Sequence, residues 1–148
     1  MHEFKYNRGI HYLNDLSELL LSTVRACYLD EEYDAVTSVP LDSAKMRSRS
    51  YNQAELLGRK LAKRLGVQYR PDCAKRTRSI SPQVRLNASQ RRLNVKGAFQ
   101  SAQEEWIKGR RFLLVDDVMT TGATVNEVSK VLMESGAEKV NVITVARG

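Results

Sequence analysis

Phe112-Leu-Leu-Val-Asp-Asp-Val-Met-Thr-Thr-Gly-Ala-Thr124 is the stretch whose reading decides the fold. Four apolar residues in a row, Phe112 to Val115, predict a strand buried on both faces, the pattern of a parallel sheet covered by helices. From Thr124 to Glu134 the spacing predicts a helix with Val125, Val128 and Leu132 on its inner side and Gly136 beyond its end. Strand, turn and helix therefore follow one another directly. In an open parallel sheet, ligands bind outside the carboxyl ends of the strands. Asp116 and Asp117 fall at such an end.

Two adjacent carboxylates repel each other, so hydroxyl donors or a cation are expected beside them. Thr120, Thr121, Gly122 and Thr124 then form a hydroxyl-rich turn leading into the helix. Free amides and the helix dipole at that point favour a phosphate. Gly122 lets the backbone approach closely, and the threonine hydroxyls add donors. The same residues could form only a loop start and a helix cap. Their coincidence with the strand–helix context instead describes a sugar-phosphate site. Neither GxxxxGK nor GxGxxG occurs, which excludes a P-loop and a dinucleotide fingerprint.

Outward from this stretch, Leu13, Leu16, Leu20, Val24 and Cys27 recur at helical spacing, with Asn14 or Asp15 available as a cap. Ala35 to Leu41 reads as a short buried strand ending near Pro40. Ala54, Leu57, Leu61 and Leu65 mark a second amphipathic helix stopped by Gly66, with Arg59, Lys60, Lys63 and Arg64 outward. Pro71 to Asn94 is polar and aperiodic, and reads as a long mobile loop with a short helix near Gln90–Val95; loops of this length tend to be functional. Val140–Val145 closes the chain as a strand. This alternation predicts an α/β fold, a mostly parallel sheet with helices on both faces.

The 148 residues, 42% of them hydrophobic, predict a single domain over 1–148 that needs no disulfide or metal staple. Cys27 and Cys73 show no metal-ligand spacing, and no apolar run approaches a membrane span. The N-terminus lacks a secretory h-region, so a cytoplasmic location is expected. The formal charge is +7, but its placement matters more. Lys45 to Lys96 holds fifteen basic and two acidic residues, giving +13 between flanks that together carry −6. Such a basic middle suggests a surface that meets phosphate groups.

Val115-Asp-Asp-Val-Met-Thr-Thr-Gly-Ala-Thr124 resembles the phosphoribosyl pyrophosphate (PRPP) motif of type I phosphoribosyltransferases. More narrowly, the chain resembles the ComF/GntX (competence protein F-like) branch. The residues that carry this are Phe4-Lys-Tyr6, Val39-Pro-Leu41, Arg49-Ser-Tyr-Asn-Gln-Ala-Glu-Leu-Leu57, Gln83-Val-Arg-Leu86 and Arg91-Arg-Leu-Asn-Val-Lys-Gly-Ala-Phe99. Members of that branch carry an N-terminal cysteine zinc module, which has no counterpart in these residues. Asp42 stands where a small or basic residue is expected.

The resemblance implies that Asp116 and Asp117 contact ribose hydroxyls and that Thr120, Thr121, Gly122, Ala123 and Thr124, reached through Val118 and Met119, hold the 5′-phosphate. It aligns Pro40, Leu41, Asp42, Ser43 and Ala44 with a pyrophosphate loop, with Lys45 and Arg49 as nearby cations. Arg76 and Arg78 start the segment matching a mobile lid. Asn52 and Gln53 either bind substrate or cap the helix. The implied chemistry is pyrophosphate displacement from PRPP by a nitrogen acceptor, with Mg2+ held through PRPP and the basic lid excluding water. A homodimer is plausible by the same resemblance. The competing expectation is a non-catalytic competence protein handling single-stranded DNA or meeting a DNA-processing protein, with Tyr51 and Tyr69 stacking on bases.

Overall fold

The computed structural model describes residues 12–41, 51–78 and 88–148. Its centre is a four-stranded, all-parallel sheet of β1 (Ala35–Ser38), β2 (Gln68–Tyr69), β5 (Arg111–Met119) and β6 (Lys139–Arg147), in the order β2-β1-β5-β6. A small antiparallel pair, β3 (Ala74–Arg76) and β4 (Phe99–Ser101), lies beside it. The helices are α1 (Leu13–Cys27), α2 (Gln53–Leu65), α3 (Ala88–Val95), α4 (Glu104–Ile107) and α5 (Ala123–Glu134). The predicted α/β architecture with helices on both faces is what forms.

Strand alternation divides the core into two clusters. Val36, Leu113, Val115 and Ile143 point to the face covered by α1 and α2, where they meet Leu20, Leu21, Val24, Leu57 and Leu61. Ala35, Phe112 and Leu114 point to the other face, against Val125, Val128 and Leu132 of α5 and Phe99 of β4. Phe112, Leu57, Leu61 and Leu132 are fully buried. Each contributes about 1.5–3 kcal/mol by leaving water.

Several local expectations change. In α1 the N-cap is Tyr12 with no side-chain cap bond, so Asn14 and Asp15 lie inside the helix. The Asn14 carbonyl instead accepts the Ser17 hydroxyl at 2.7 Å. Cys27 is exposed, and the buried stripe is Ser17, Leu20, Leu21 and Val24. Strand β1 stops at Ser38 rather than near Pro40, for a reason that belongs to the site. Within Pro71–Asn94 the short helix expected near Gln90–Val95 forms as α3 from Ala88, while a 3-10 turn (Pro71–Cys73) and β3 replace part of the expected loop. Residues 79–87 lie outside the described residues. None of the described helices is long and apolar enough to cross a membrane.

The α2–β2 connection is tight. Gly66 ends α2 in the left-handed conformation, φ 71°, as its place in the sequence predicts. Gly58 lies inside α2, where a Cβ would stand 2.7 Å from Tyr69 Cε2. The Tyr69 ring cannot readily retreat: its hydroxyl bonds Ser38 Oγ at 2.7 Å, and the Arg59 guanidinium sits 4.9 Å from its centroid. Burial pushes the Tyr69 phenol up to about 12. Gly58→Ala is expected to lose about 1–2 kcal/mol of unfolding free energy despite its better helix propensity, because overpacking outweighs the backbone gain. In a Tyr69→Ala background the same change should be neutral or stabilising, which a urea-denaturation double-mutant cycle reads directly.

Candidate functional site

The site forms where the β1 ladder ends and the β5–β6 ladder continues. The last β1–β5 bond joins the Val39 amide to the Val115 carbonyl at 3.0 Å. The next parallel rung would join the Asp117 amide to the Val39 carbonyl. Asn52 takes that carbonyl instead, donating from Nδ2 at 3.1 Å while its Oδ1 accepts the Ala54 amide at 3.1 Å. One buried side chain thus caps α2 and stops the ladder. Of the two roles open for Asn52, capping is the one its geometry shows.

Beyond that stop, β5 runs on beside β6, pairing Asp116 with Thr144, Val118 with Ala146 and Met119 with Arg147. The strand expected to end at Val115 therefore carries both acids within it. Their carboxylates turn back onto the backbone: Asp116 Oδ1 accepts the Asp117 amide at 2.9 Å, and Asp117 Oδ1 accepts the Val118 amide at 2.8 Å. The amide left without β1 is satisfied by the neighbouring acid.

The chain then turns at Thr120–Gly122 into α5. Gly122 adopts φ 75° at the N-cap, a conformation costly for residues with a Cβ. The first helical bond runs from the Asn126 amide to the Gly122 carbonyl at 2.9 Å. The Thr124 and Val125 amides precede it and have no intrahelical acceptor. Thr121 Oγ1 accepts the Ala123 amide only at 3.4 Å. Asp116 and residues 118–125 enclose a cradle of about 30 Å³. Its nine lining residues include no Lys or Arg. Attraction for an anion there comes from amides, hydroxyls and the helix dipole.

A strand end, an amide-rich turn and a helix start in this order match the Phosphoribosyl transferase domain family over residues 52–148. The chain belongs to that family. Among curated relatives, the "DNA utilization protein YhgH" of Escherichia coli O157:H7 is 36% identical over 150 residues, covering 99% of this chain and 65% of that protein. "Competence protein F" of Haemophilus influenzae is 36% identical over 148 residues, covering 97% and 65% respectively. The chain thus spans slightly under two thirds of the relatives it matches. Among solved structures, an adenine phosphoribosyltransferase aligns with a TM-score of 0.63 at 15% identity, covering 95% of this chain and 72% of that one. A glutamine PRPP amidotransferase from B. subtilis aligns at 0.61 and 20% identity, covering 97% and 30%. These likenesses show the phosphoribosyltransferase fold.

The other predicted site residues divide. Asp116, Val118, Met119, Thr120, Thr121, Gly122, Ala123 and Thr124 are brought together in the cradle. Asp117 is not among its lining. Pro40 and Leu41 leave β1 half-buried, whereas Asp42, Ser43, Ala44, Lys45 and Arg49 lie outside the described residues. Arg76 ends β3 over the Phe99 ring, 5.4 Å from its centroid, and donates from Nε to the Arg78 carbonyl at 3.3 Å. Arg78 Nη2 donates to the carbonyls of Asn94 at 3.2 Å and Lys96 at 2.6 Å, at the C-terminal end of α3. Both arginines therefore hold the base of the segment that follows them.

A second concavity, about 270 Å³, lies between α3 and α5 and shares Ala123 with the cradle. Arg92, Lys96 and Lys130 line it together with Leu93, which is 70% exposed. Its acid, Glu127, accepts the Gly97 amide at 2.6 Å. The sequence showed Arg92 and Lys96 only as part of a basic stretch and Lys130 as an isolated helical cation; their convergence requires α3 to dock on α5. Tyr69, expected as a base-stacking residue, is instead committed to Ser38 and Arg59.

Removing the Asn52 side chain should uncap α2 and leave the buried Val39 carbonyl unpaired. Asn52→Ala is expected to cost about 2 kcal/mol in thermal or chemical unfolding. Asn52→Asp keeps the cap acceptor but turns a carboxylate oxygen onto that carbonyl, so it should not restore stability.

Proposed function

We propose that this chain binds PRPP, or a close sugar-phosphate relative, at the β5–α5 cradle, and transfers or recognises its 5-phosphoribosyl group. The observation that carries the reading is the cradle: unpaired amides at the α5 start, threonine hydroxyls, and a carboxylate one strand step away. The amides and Thr120–Thr124 hold the 5′-phosphate; Asp116, and Asp117 across the sheet edge, accept hydrogen bonds from ribose hydroxyls. Their hard oxygen atoms also suit Mg2+, which the ligand's diphosphate would bring and which would neutralise leaving-group charge when bound. Holding the sugar with its anomeric carbon exposed to an acceptor is positioning plus electrostatics. The acceptor is a nitrogen nucleophile, and the working location is cytoplasmic.

The α3–α5 groove supports a second reading, in which the protein also handles single-stranded DNA. The names carried by its relatives, competence protein and DNA utilization protein, agree with it. Arg92, Lys96 and Lys130 present cations around an exposed Leu93, and cations beside an apolar platform suit a backbone with unstacked bases.

Calorimetric titration of PRPP with Mg2+ should give saturable binding that Asp116→Asn/Asp117→Asn abolishes without unfolding the protein. A well-folded wild type that takes up no PRPP sinks the first reading. For the second, anisotropy of a labelled oligo-dT across a salt series should give a linear log–log fall. Arg92→Ala/Lys96→Ala/Lys130→Ala should reduce that slope by about 2, at roughly 0.7 per phosphate contact, while leaving PRPP uptake intact. An unchanged slope removes the groove from the DNA path.

A further inference from the structure

Gln53, the first residue of α2, is 1% exposed, and its Nε2 has no hydrogen-bond partner. The other buried side-chain atoms in this condition among the described residues are hydroxyls, on Thr37, Ser101 and Ser129. A hydroxyl rotates freely to find what acceptor it can, whereas a carboxamide nitrogen carries two donors in a fixed plane. Leaving it buried and unpaired is unfavourable, and such a group in a native structure calls for an explanation in function.

Its position supplies one. Gln53, Leu57 and Leu61 succeed one another every fourth residue along the inward stripe of α2. Leu57 and Leu61 meet Val36, Leu113 and Val115 on the sheet below. Because α2 follows β1 and returns the chain to the parallel β2, it runs antiparallel to the strands. Its first residue therefore sits at the sheet's carboxyl edge, where Asn52 fastens it to the Val39 carbonyl. One helical turn above Leu57 is Gln53; two residues along β5 from Val115 is Asp117, which regular alternation would place on the same face. A turn of helix and two residues of strand both advance about 6 Å, so amide and acid occupy the same layer. Asp117 meanwhile spends Oδ1 on its neighbour's amide at 2.8 Å.

We propose that Gln53 is a positioning residue of the sugar-phosphate site. When a ribose hydroxyl engages Asp117, the Gln53 carboxamide donates to the other side of that carboxylate and fixes its orientation. The donor unpaired in the free protein is thus held ready for the ligand-bound arrangement. This rests on the PRPP reading above and extends it to a residue outside the Asp-Asp-Val-Met-Thr-Thr-Gly run. It also separates the two acids: Asp116 works from the cradle face and Asp117 from the α2 face with Gln53.

The test is PRPP titration with Mg2+ into wild type, Gln53→Leu, Asp117→Asn and the double variant, with Tm measured for each. Gln53→Leu keeps the volume and removes the unpaired donor, so its Tm should equal or exceed that of the wild type. Its PRPP affinity should fall roughly tenfold, as for loss of a hydrogen bond to a charged group. In the Asp117→Asn background, Gln53→Leu should have no further effect, since the residue acts through that carboxylate. Wild-type affinity in Gln53→Leu, or an equal loss in both backgrounds, overturns the role of Gln53 while leaving the PRPP reading standing. A Tm that falls together with affinity assigns Gln53 to packing and also overturns it. A wild type that binds no PRPP removes the PRPP reading and this role together.

Discussion

The site depends on how a parallel ladder is stopped. Two strands in register continue to bond as long as amide faces carbonyl, and nothing in the pairing itself ends them. Asn52 ends this one by occupying the Val39 carbonyl, and the same side chain starts the helix that closes the crossover. With β1 halted, the Asp117 amide turns to Asp116 Oδ1. The opposite neighbour, β6, keeps pairing to Arg147 and holds the acids in extended geometry. The edge that carries the two acids is thus made by ending one side of a central strand and extending the other.

The two faces of β5 then acquire different chemistry from one alternating pattern. Leu114 points toward α5 and Val115 toward α2, and Asp116 lines the cradle beside α5. On the α5 face Asp116 lines a cradle at a helix start with spare amides; Asp117 is not part of that lining. Among the described residues, attraction for an anion comes from backbone dipoles inside the cradle and from side-chain cations in the adjoining groove. That division matters because amide and dipole contributions are fixed in place, while exposed lysines and arginines are screened by salt.

Much of this was legible in the residues. Phe112–Val115 reads as a doubly covered strand and is one, and the hydroxyl turn plus helix expected after it form the β5–α5 cradle. The family resemblance and the fold it implies both stand. What the sequence could not show is set by partners distant along the chain. Gln68–Tyr69, Ala74–Arg76 and Phe99–Ser101 are too short and too polar for any periodicity, and become strands because a neighbour offers a ladder. Asp116 and Asp117 read as a strand end because charges rarely continue one; β6 overrides that preference. Gln53 read as a cap or a ligand because amphipathic spacing identifies which residues share a face, but not how far a polar one at its end is covered.

Arg78 has a consequence for how this fold can vary. By bonding the carbonyls of Asn94 and Lys96, it brings the exit from β3 and the end of α3 to one point, and Glu127 ties the adjoining Gly97 to α5. The intervening stretch is therefore a closed excursion whose two ends are fixed independently of what lies between them. The entropy of such a closure rises only with the logarithm of its length. Lengthening or recomposing that excursion leaves the sheet and the cradle unaltered. A lineage can therefore exchange that segment while inheriting the sheet and the β5–α5 cradle unchanged.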